Sequence, residues 1–309
     1  MNAALLRKQS YDDTTRDISN RRSAPMLEWL IDPLTYGFMQ RGLMASLIVG
    51  ILCSVIGCYV VLRSMAFLGD ALAHAILPGV AIAYLLGGNL LIGALIAAIL
   101  VALGIGFFSN QGALREDTAI GILFAAALSL GVVLISSIKT YAVDLTHILF
   151  GNILGVSVAD LWLTGILSLV VLGTIFLLYK EFLVITFDPV LAATMRLPAQ
   201  LLRNLMLILL SFTVVVSLQT VGVGLVVAML VTPGATAYLL TRRLPSMMLV
   251  SAGFGIISSL AGLYFSYYAN VASGAAIVLT ATAIFLLVFM IAPQRGVIWQ
   301  HVRSGRSLS

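Results

Sequence analysis

Charge is what this chain has least of. Only 9% of its 309 residues are charged, while 61% are hydrophobic and the mean hydropathy is +1.10; a soluble domain carries about 25% charged residues. That excludes a water-soluble globular fold and leaves an all-α polytopic membrane protein. Cysteine is nearly absent: Cys53 and Cys58 are the only two, five apart in one apolar run and so on different faces of a helix. They read as small buried hydrophobes, and no disulfide framework or thiolate metal site can be built from them. Lysine occurs only at positions 8, 139 and 180, never after a glycine, so the Gly-Lys-Ser/Thr of a P-loop is missing. The chain does not bind ATP in that way, and either an ion gradient or a separate ATPase must drive whatever it does. No His-Glu-x-x-His occurs among its three histidines, which leaves no metalloprotease motif. The net charge of +5 comes from basic residues set singly or in pairs at the ends of apolar runs, not from one patch. These are topology signals, and no nucleic-acid partner is expected.

What is present is a series of apolar windows of the length needed to cross the hydrocarbon core. They fall at about 43–62, 71–87, 89–109, 118–138, 161–179, 201–219, 221–240, 247–267 and 274–292, giving eight or nine spans in one domain over 26–293. Residues 27–40, with Trp29, Tyr36 and Phe38 among Glu28 and Asp32, read as an interfacial helix. Residues 1–25 are polar and read as a disordered tail without the apolar region of a signal peptide. Arg63, Arg115, Lys180, Arg196, Arg203, Arg242, Arg243 and the basic 294–309 tail occupy alternate loops, so those loops and the C-terminus are expected to be cytoplasmic. Pro78-Gly79 and Pro233-Gly234 are expected to interrupt two spans.

Of twelve acidic residues, Asp70 alone falls within the apolar body of the chain, and His74 follows one helical turn later. Two readings stand open. Asp70 is the N-cap of a span with His74 a bonded core histidine, or the two are an oxygen and a nitrogen ligand for Mn²⁺, Fe²⁺ or Zn²⁺. Two ligands are too few for any of these ions, so the metal reading calls for a homodimer that brings two copies together. A proton relay in a secondary transporter is the rival use of the same pair. Asp144, His147 and Asp160, in a segment expected to be extracytoplasmic, are candidates for first receiving a metal ion. Asp117, at the start of a span, is expected to be an N-cap.

Residues 187–198 have Asp188 at an N-cap, Pro189 at the first helical position and Pro198 at the end. They form a two-turn cytoplasmic helix too short to span, and as a bare pattern it is either an interfacial helix or a docking element for a partner.

The ordered motifs Gly69-Asp70-Ala71-Leu72-Ala73-His74-Ala75-Ile76-Leu77-Pro78-Gly79, Arg115-Glu116-Asp117-Thr118-Ala119-Ile120-Gly121, Leu149–Leu154, Phe187-Asp188-Pro189, and Val221-Gly222 through Val231-Thr232-Pro233-Gly234-Ala235 resemble the permease subunit of the metal-ion ABC importers, the ABC-3 family for manganese, zinc and iron. The resemblance covers about residues 27–293. It implies a type II importer-like homodimer in the cell membrane, two cytoplasmic ATP-binding subunits and an extracytoplasmic metal-binding protein. The cargo is a divalent cation, manganese before zinc or iron, with no permanently bound cofactor and no enzymatic activity in the chain itself. Carried over by position, Asp70 and His74 match the family's intramembrane metal site. Phe187, Asp188, Pro189, Leu191, Ala192 and Arg196 match the coupling helix that engages the ATPase.

Overall fold

The structure, a computed structural model, describes residues 32–110, 115–137 and 153–292, and among them every regular element is helical. Nine helical stretches among these residues are long and apolar enough to cross a membrane, one for each hydropathy window. The chain divides into two compact units, Met1–Gln40 and Arg41–Ser309. In the first, a 3-10 turn over Asp32–Thr35 is closed by Thr35 Oγ1 donating to the Asp32 carbonyl at 2.7 Å, and Gln40 Nε2 donates to the Leu34 carbonyl at 2.7 Å. Helix α1, Gly37–Leu62, begins here. The expected interfacial helix over 27–40 is thereby corrected, since residues 37–40 are the first turn of a spanning helix and 27–31 lie outside the described residues. At 26 residues α1 is about 39 Å long, enough to carry the Phe38–Arg41 turn beyond an apolar core of about 30 Å.

After α1 the chain forms α2 (Ala66–Ala75) and α3 (Leu77–Leu85), which together make one span. Pro78 breaks it as expected, because it has no N–H to give the His74 carbonyl and its ring crowds that oxygen. Ile76, between the two pieces, keeps helical angles (φ −75°, ψ −19°), so the chain bends without leaving the helical region. The remaining spans are α4 (Leu90–Asn110), capped by Asn89 Oδ1 accepting from Leu91 N, α5 (Glu116–Ser136) and α6 (Val158–Leu177). Two short helices, α7 (Tyr179–Phe187) and α8 (Pro189–Thr194), precede α9 (Ala199–Val221), α10 (Val223–Leu240), α11 (Leu244–Ala269) and α12 (Ser273–Ile291).

Helix α9 is buried along most of its length and packs on α4 and α6, while α10 packs on α11, α12 and α2, and α2 lies against α5. Without a hydrophobic drive between helices in lipid, close backbone approach and interhelical hydrogen bonds must supply cohesion. Between α1 and α11 they do so. Ser259 Oγ donates to the Ser46 carbonyl at 3.1 Å and Ser251 Oγ to the Ser54 carbonyl at 2.9 Å, with Gly50 and Gly255 back to back between them. Cys53 and Cys58 are fully buried as read from sequence, Cys58 Sγ donating to the Ser54 carbonyl at 3.3 Å.

Two expectations change. Helix α10 runs unbroken through Pro233, because one lost N–H is offset by packing: Pro233 and Gly234 are buried, and a Cβ on Gly234 would come 3.1 Å from the Gly57 carbonyl oxygen of α1. Asp117 is not the N-cap of α5, which is Arg115; Asp117 lies in the first turn, where the helix dipole still favours a carboxylate.

Candidate functional site

Helix α2 begins at Ala66 with Met65 in the cap position, so Asp70 lies within the helix and the N-cap reading falls away. Spaced by one turn, Asp70 and His74 come together: Asp70 Oδ1 lies 3.6 Å from His74 Nε2. Their neighbours Gly69, Ala71, Leu72, Ala73 and Ala75 are buried, whereas the Asp70 and His74 side chains are 36% and 31% exposed. The pair therefore marks the one strip of this stretch that the rest of the protomer leaves open. Phe67 continues the strip and is 52% exposed. From α5, the Phe124 ring stands 6.0 Å from the imidazole.

The 3.6 Å separation is chemically informative. A direct hydrogen bond between these atoms spans about 2.7–3.2 Å, so the pair is not locked on itself. Two ligand atoms each about 2.1 Å from a shared ion stand about 3.0 Å apart at an octahedral angle and about 3.4 Å apart at a tetrahedral one, so a small closure of the pair would let both reach one ion. Among the described residues no group of three or more His, Cys, Asp or Glu could hold a metal, so a full coordination shell needs atoms from outside this set.

The other expected positions are dispersed. Asp144 and His147 lie outside the described residues. Asp160 is the third residue of α6 in a capping box with Ser157: the Ser157 backbone N donates to Asp160 Oδ2 at 3.2 Å and Asp160 N to Ser157 Oγ at 3.1 Å. Its other oxygen accepts from Gln219 Nε2 at 3.2 Å, and both side chains face a cavity of about 570 Å³ that Ile76, Asn89 and Val215 also line.

The segment 187–198 is helical as expected over Pro189–Thr194, with Asp188 Oδ1 accepting from Leu191 N at 2.9 Å. Arg196 closes α8 in the left-handed region (φ +54°), where Leu197 N reaches back to the Ala192 carbonyl at 3.0 Å. Ala192 is buried, whereas Phe187, Val190, Leu191 and Met195 are exposed, giving α8 an uncovered apolar edge. Helix α7 ahead of it is not apparent from sequence, where Lys180 and Glu181 read as loop. It is anchored by fully buried Phe182, whose ring meets that of Tyr59 edge-on at 5.9 Å.

One further contact escapes sequence reading. Arg63, on the link into α2, lies 3.8 Å from Glu116 at the start of α5. Burial pulls the Arg63 guanidinium below its ordinary pKa, and Glu116 opposes that shift. Arg63 Nη1 and Glu116 Oε1 have no hydrogen-bond partner among the described residues, so the pair ties α2 to α5 with bonding capacity to spare.

Nine apolar spans among the described residues, one of them carrying a half-open ionisable pair, define a polytopic membrane protein. The chain belongs to the ABC 3 transport family, whose model matches residues 35–292. It is 52% identical over 274 residues to the manganese transport system membrane protein MntC of Halalkalibacterium halodurans, covering 89% of this chain and 94% of that one. It is 49% identical over 270 residues to the MntC of Listeria monocytogenes, covering 87% and 96%. Among solved structures it is similar to PsaBC from Streptococcus pneumoniae in complex with Fab, with a TM-score of 0.77 and 41% identity over 87% of this chain and 98% of that chain.

Proposed function

We propose that this permease carries a divalent transition metal ion inward across the membrane, manganese before zinc or iron, as the transmembrane subunit of an ATP-driven importer. The observation that carries it is the Asp70–His74 pair, held near chelating distance on the open strip of a span. An ionisable pair at that depth is costly unless it faces protein, water or an ion. A mixed oxygen and nitrogen donor set suits Mn²⁺, Fe²⁺ and Zn²⁺, and the relatives' names favour the first. A homodimer presenting the strip from both copies supplies four side-chain ligands. The 3.6 Å separation also favours metal over a direct proton relay, which works through shorter contacts.

Energy enters through a separate ATPase subunit seated on α8, whose apolar edge would otherwise face water. An extracytoplasmic metal-binding protein delivers the ion on the other side, toward the cavity beside Asp160, and Asp144 and His147 remain candidates for first receiving it. In this reading residues 26–293 are the permease domain, and the Arg63 end of α2 and the 294–309 tail lie on the cytoplasmic side.

The test is uptake of radiolabelled Mn²⁺ by the complete complex in cells lacking other importers, with Zn²⁺ and Fe²⁺ as competitors. Uptake that requires ATP and is lost in both Asp70→Asn and His74→Ala supports the reading. Uptake driven by a proton gradient without the ATPase, or left intact in both variants, overturns it.

A further inference from the structure

The open strip of α2 does not end at the metal pair. Phe67 precedes Asp70 by three residues and His74 by seven, so the three side chains lie along one face of the helix, with Phe67 on the Arg63 side. The Phe67 ring is 52% exposed within the protomer, and it meets Phe124 of α5 edge-on, centroids 5.8 Å apart at 83°. Phe124 is shared, since its other neighbour is the His74 imidazole at 6.0 Å. Nearer the starts of both helices, Arg63 on the link before α2 and Glu116, the first residue of α5, meet at 3.8 Å. The ion pair and the aromatic pair thus both join this end of α2 to α5, and the Asp70–His74 pair follows along α2 itself.

We infer that the Phe67–Phe124 aromatic pair is the inner gate of the transport path, an apolar constriction that stops the ion after it leaves Asp70 and His74. This rests on the proposed function for its direction and its cargo. An ion moving from His74 past Asp70 along the open strip meets Phe67 next, and the rings offer it neither a ligand nor a hydrogen bond for its hydration water. A constriction of this kind blocks a hydrated cation by excluding water, without binding anything. Release inward then requires Phe67 to swing off the strip, and because its ring rests on Phe124, which also meets the His74 imidazole, that movement disturbs the metal pair at the same time. The single 3.8 Å Arg63–Glu116 contact, with an atom of each side chain left over, is a tie that can be remade as the two helices move.

The experiment uses the full complex, permease dimer with its ATPase subunits, in liposomes that enclose a dye quenched by Mn²⁺, with Mn²⁺ added outside and no nucleotide present. Phe67→Ala and Phe67→Ser should raise nucleotide-independent Mn²⁺ flux at least about tenfold over wild type, the direction expected when an apolar seal is removed. Phe67→Trp, which keeps the apolar bulk, should stay at the wild-type level. Should either Phe67 truncation fail to assemble, Phe124→Ala is read in the same vesicles and should also leak, because it removes the ring against which Phe67 rests. Wild-type flux in the truncations that assemble overturns the gate. Asp70→Asn, assayed in parallel, should lose ATP-driven uptake without leaking. Retention of that uptake would instead count against the metal pair, so the two ideas fail by different readings.

Discussion

Two regions of this molecule bury polar groups within apolar spans, and they treat them in opposite ways. In the seam between α1 and α11, the Ser46, Ser54, Ser251 and Ser259 side chains are neutral and no more than 1% exposed, and Ser251 and Ser259 direct their hydroxyls at carbonyls of the facing helix. On α2, Asp70 and His74 are ionisable, about one-third exposed and 3.6 Å apart, too far for a hydrogen bond. The Ser251 and Ser259 hydroxyls that cross this seam are satisfied by facing carbonyls, while the buried Ser54 hydroxyl has no hydrogen-bond partner among the described residues. Asp70 and His74 differ in being ionisable and partly open, the state that the proposed ligand role requires.

Breaking the seam should give the largest effect. A Cβ at Gly255 would collide with the Ser54 hydroxyl and come 2.7 Å from the Gly50 carbonyl oxygen, both on rigid helix. Gly255→Leu should therefore eliminate folded protein, read as loss of the monodisperse peak after detergent extraction. Near-normal yield would show that α1 and α11 can part without unfolding. The next effect separates stability from activity. Asp70→Asn and His74→Ala should abolish uptake while leaving the melting temperature within a few degrees of wild type, because both side chains are about one-third exposed and the ring contact of His74 with Phe124 is the one aromatic contact to be lost. A collapse in thermal stability would place the pair with the seam. Smaller again is the docking edge: Leu191→Glu, at an exposed position of α8, should leave the permease folded but weaken co-purification of the ATPase and cut uptake by about an order of magnitude, comparable to losing about 1.4 kcal/mol of binding. Unchanged co-purification would remove α8 from the docking surface.

The spans were legible to within one, eight or nine against the nine found among the described residues, because hydropathy over about 20 residues is a strong signal, and the Asp70–His74 juxtaposition was legible because an i,i+4 spacing translates directly into one helix face. The Asp188 cap and the break at Pro78 were legible for the same local reason. What was not legible depends on distant partners. Pro233 has the same local signal as Pro78, yet its helix continues because α1 packs against Gly234. Arg63 and Glu116, and Phe67 and Phe124, are more than fifty residues apart, and no local pattern announces that they meet. The span start at Gly37 was missed because Gln40 and Arg41 look like interface residues when read without the helix that contains them.

Asp160 falls between the two regions, and it yields the smallest expected effect. It carries a charge and lines a cavity, as a ligand would, but its oxygens are already engaged by Ser157 and Gln219, as in the seam. Asparagine keeps one carbonyl oxygen able to accept from the Ser157 backbone, and its NH2, in place of the oxygen that accepts from Gln219, can donate to the Gln219 amide oxygen once that amide turns over, so Asp160→Asn should preserve α6. If the carboxylate acts on the arriving ion only through its field, the variant should lower uptake about twofold at subsaturating Mn²⁺, with the difference fading as salt rises and the field is screened. A direct ligand would behave otherwise, raising the half-saturating Mn²⁺ concentration tenfold or more, by about 1.4 kcal/mol, and at every salt concentration. The bonding pattern favours the first outcome, because coordinating the ion would require Asp160 to release Gln219 or the cap of its own helix.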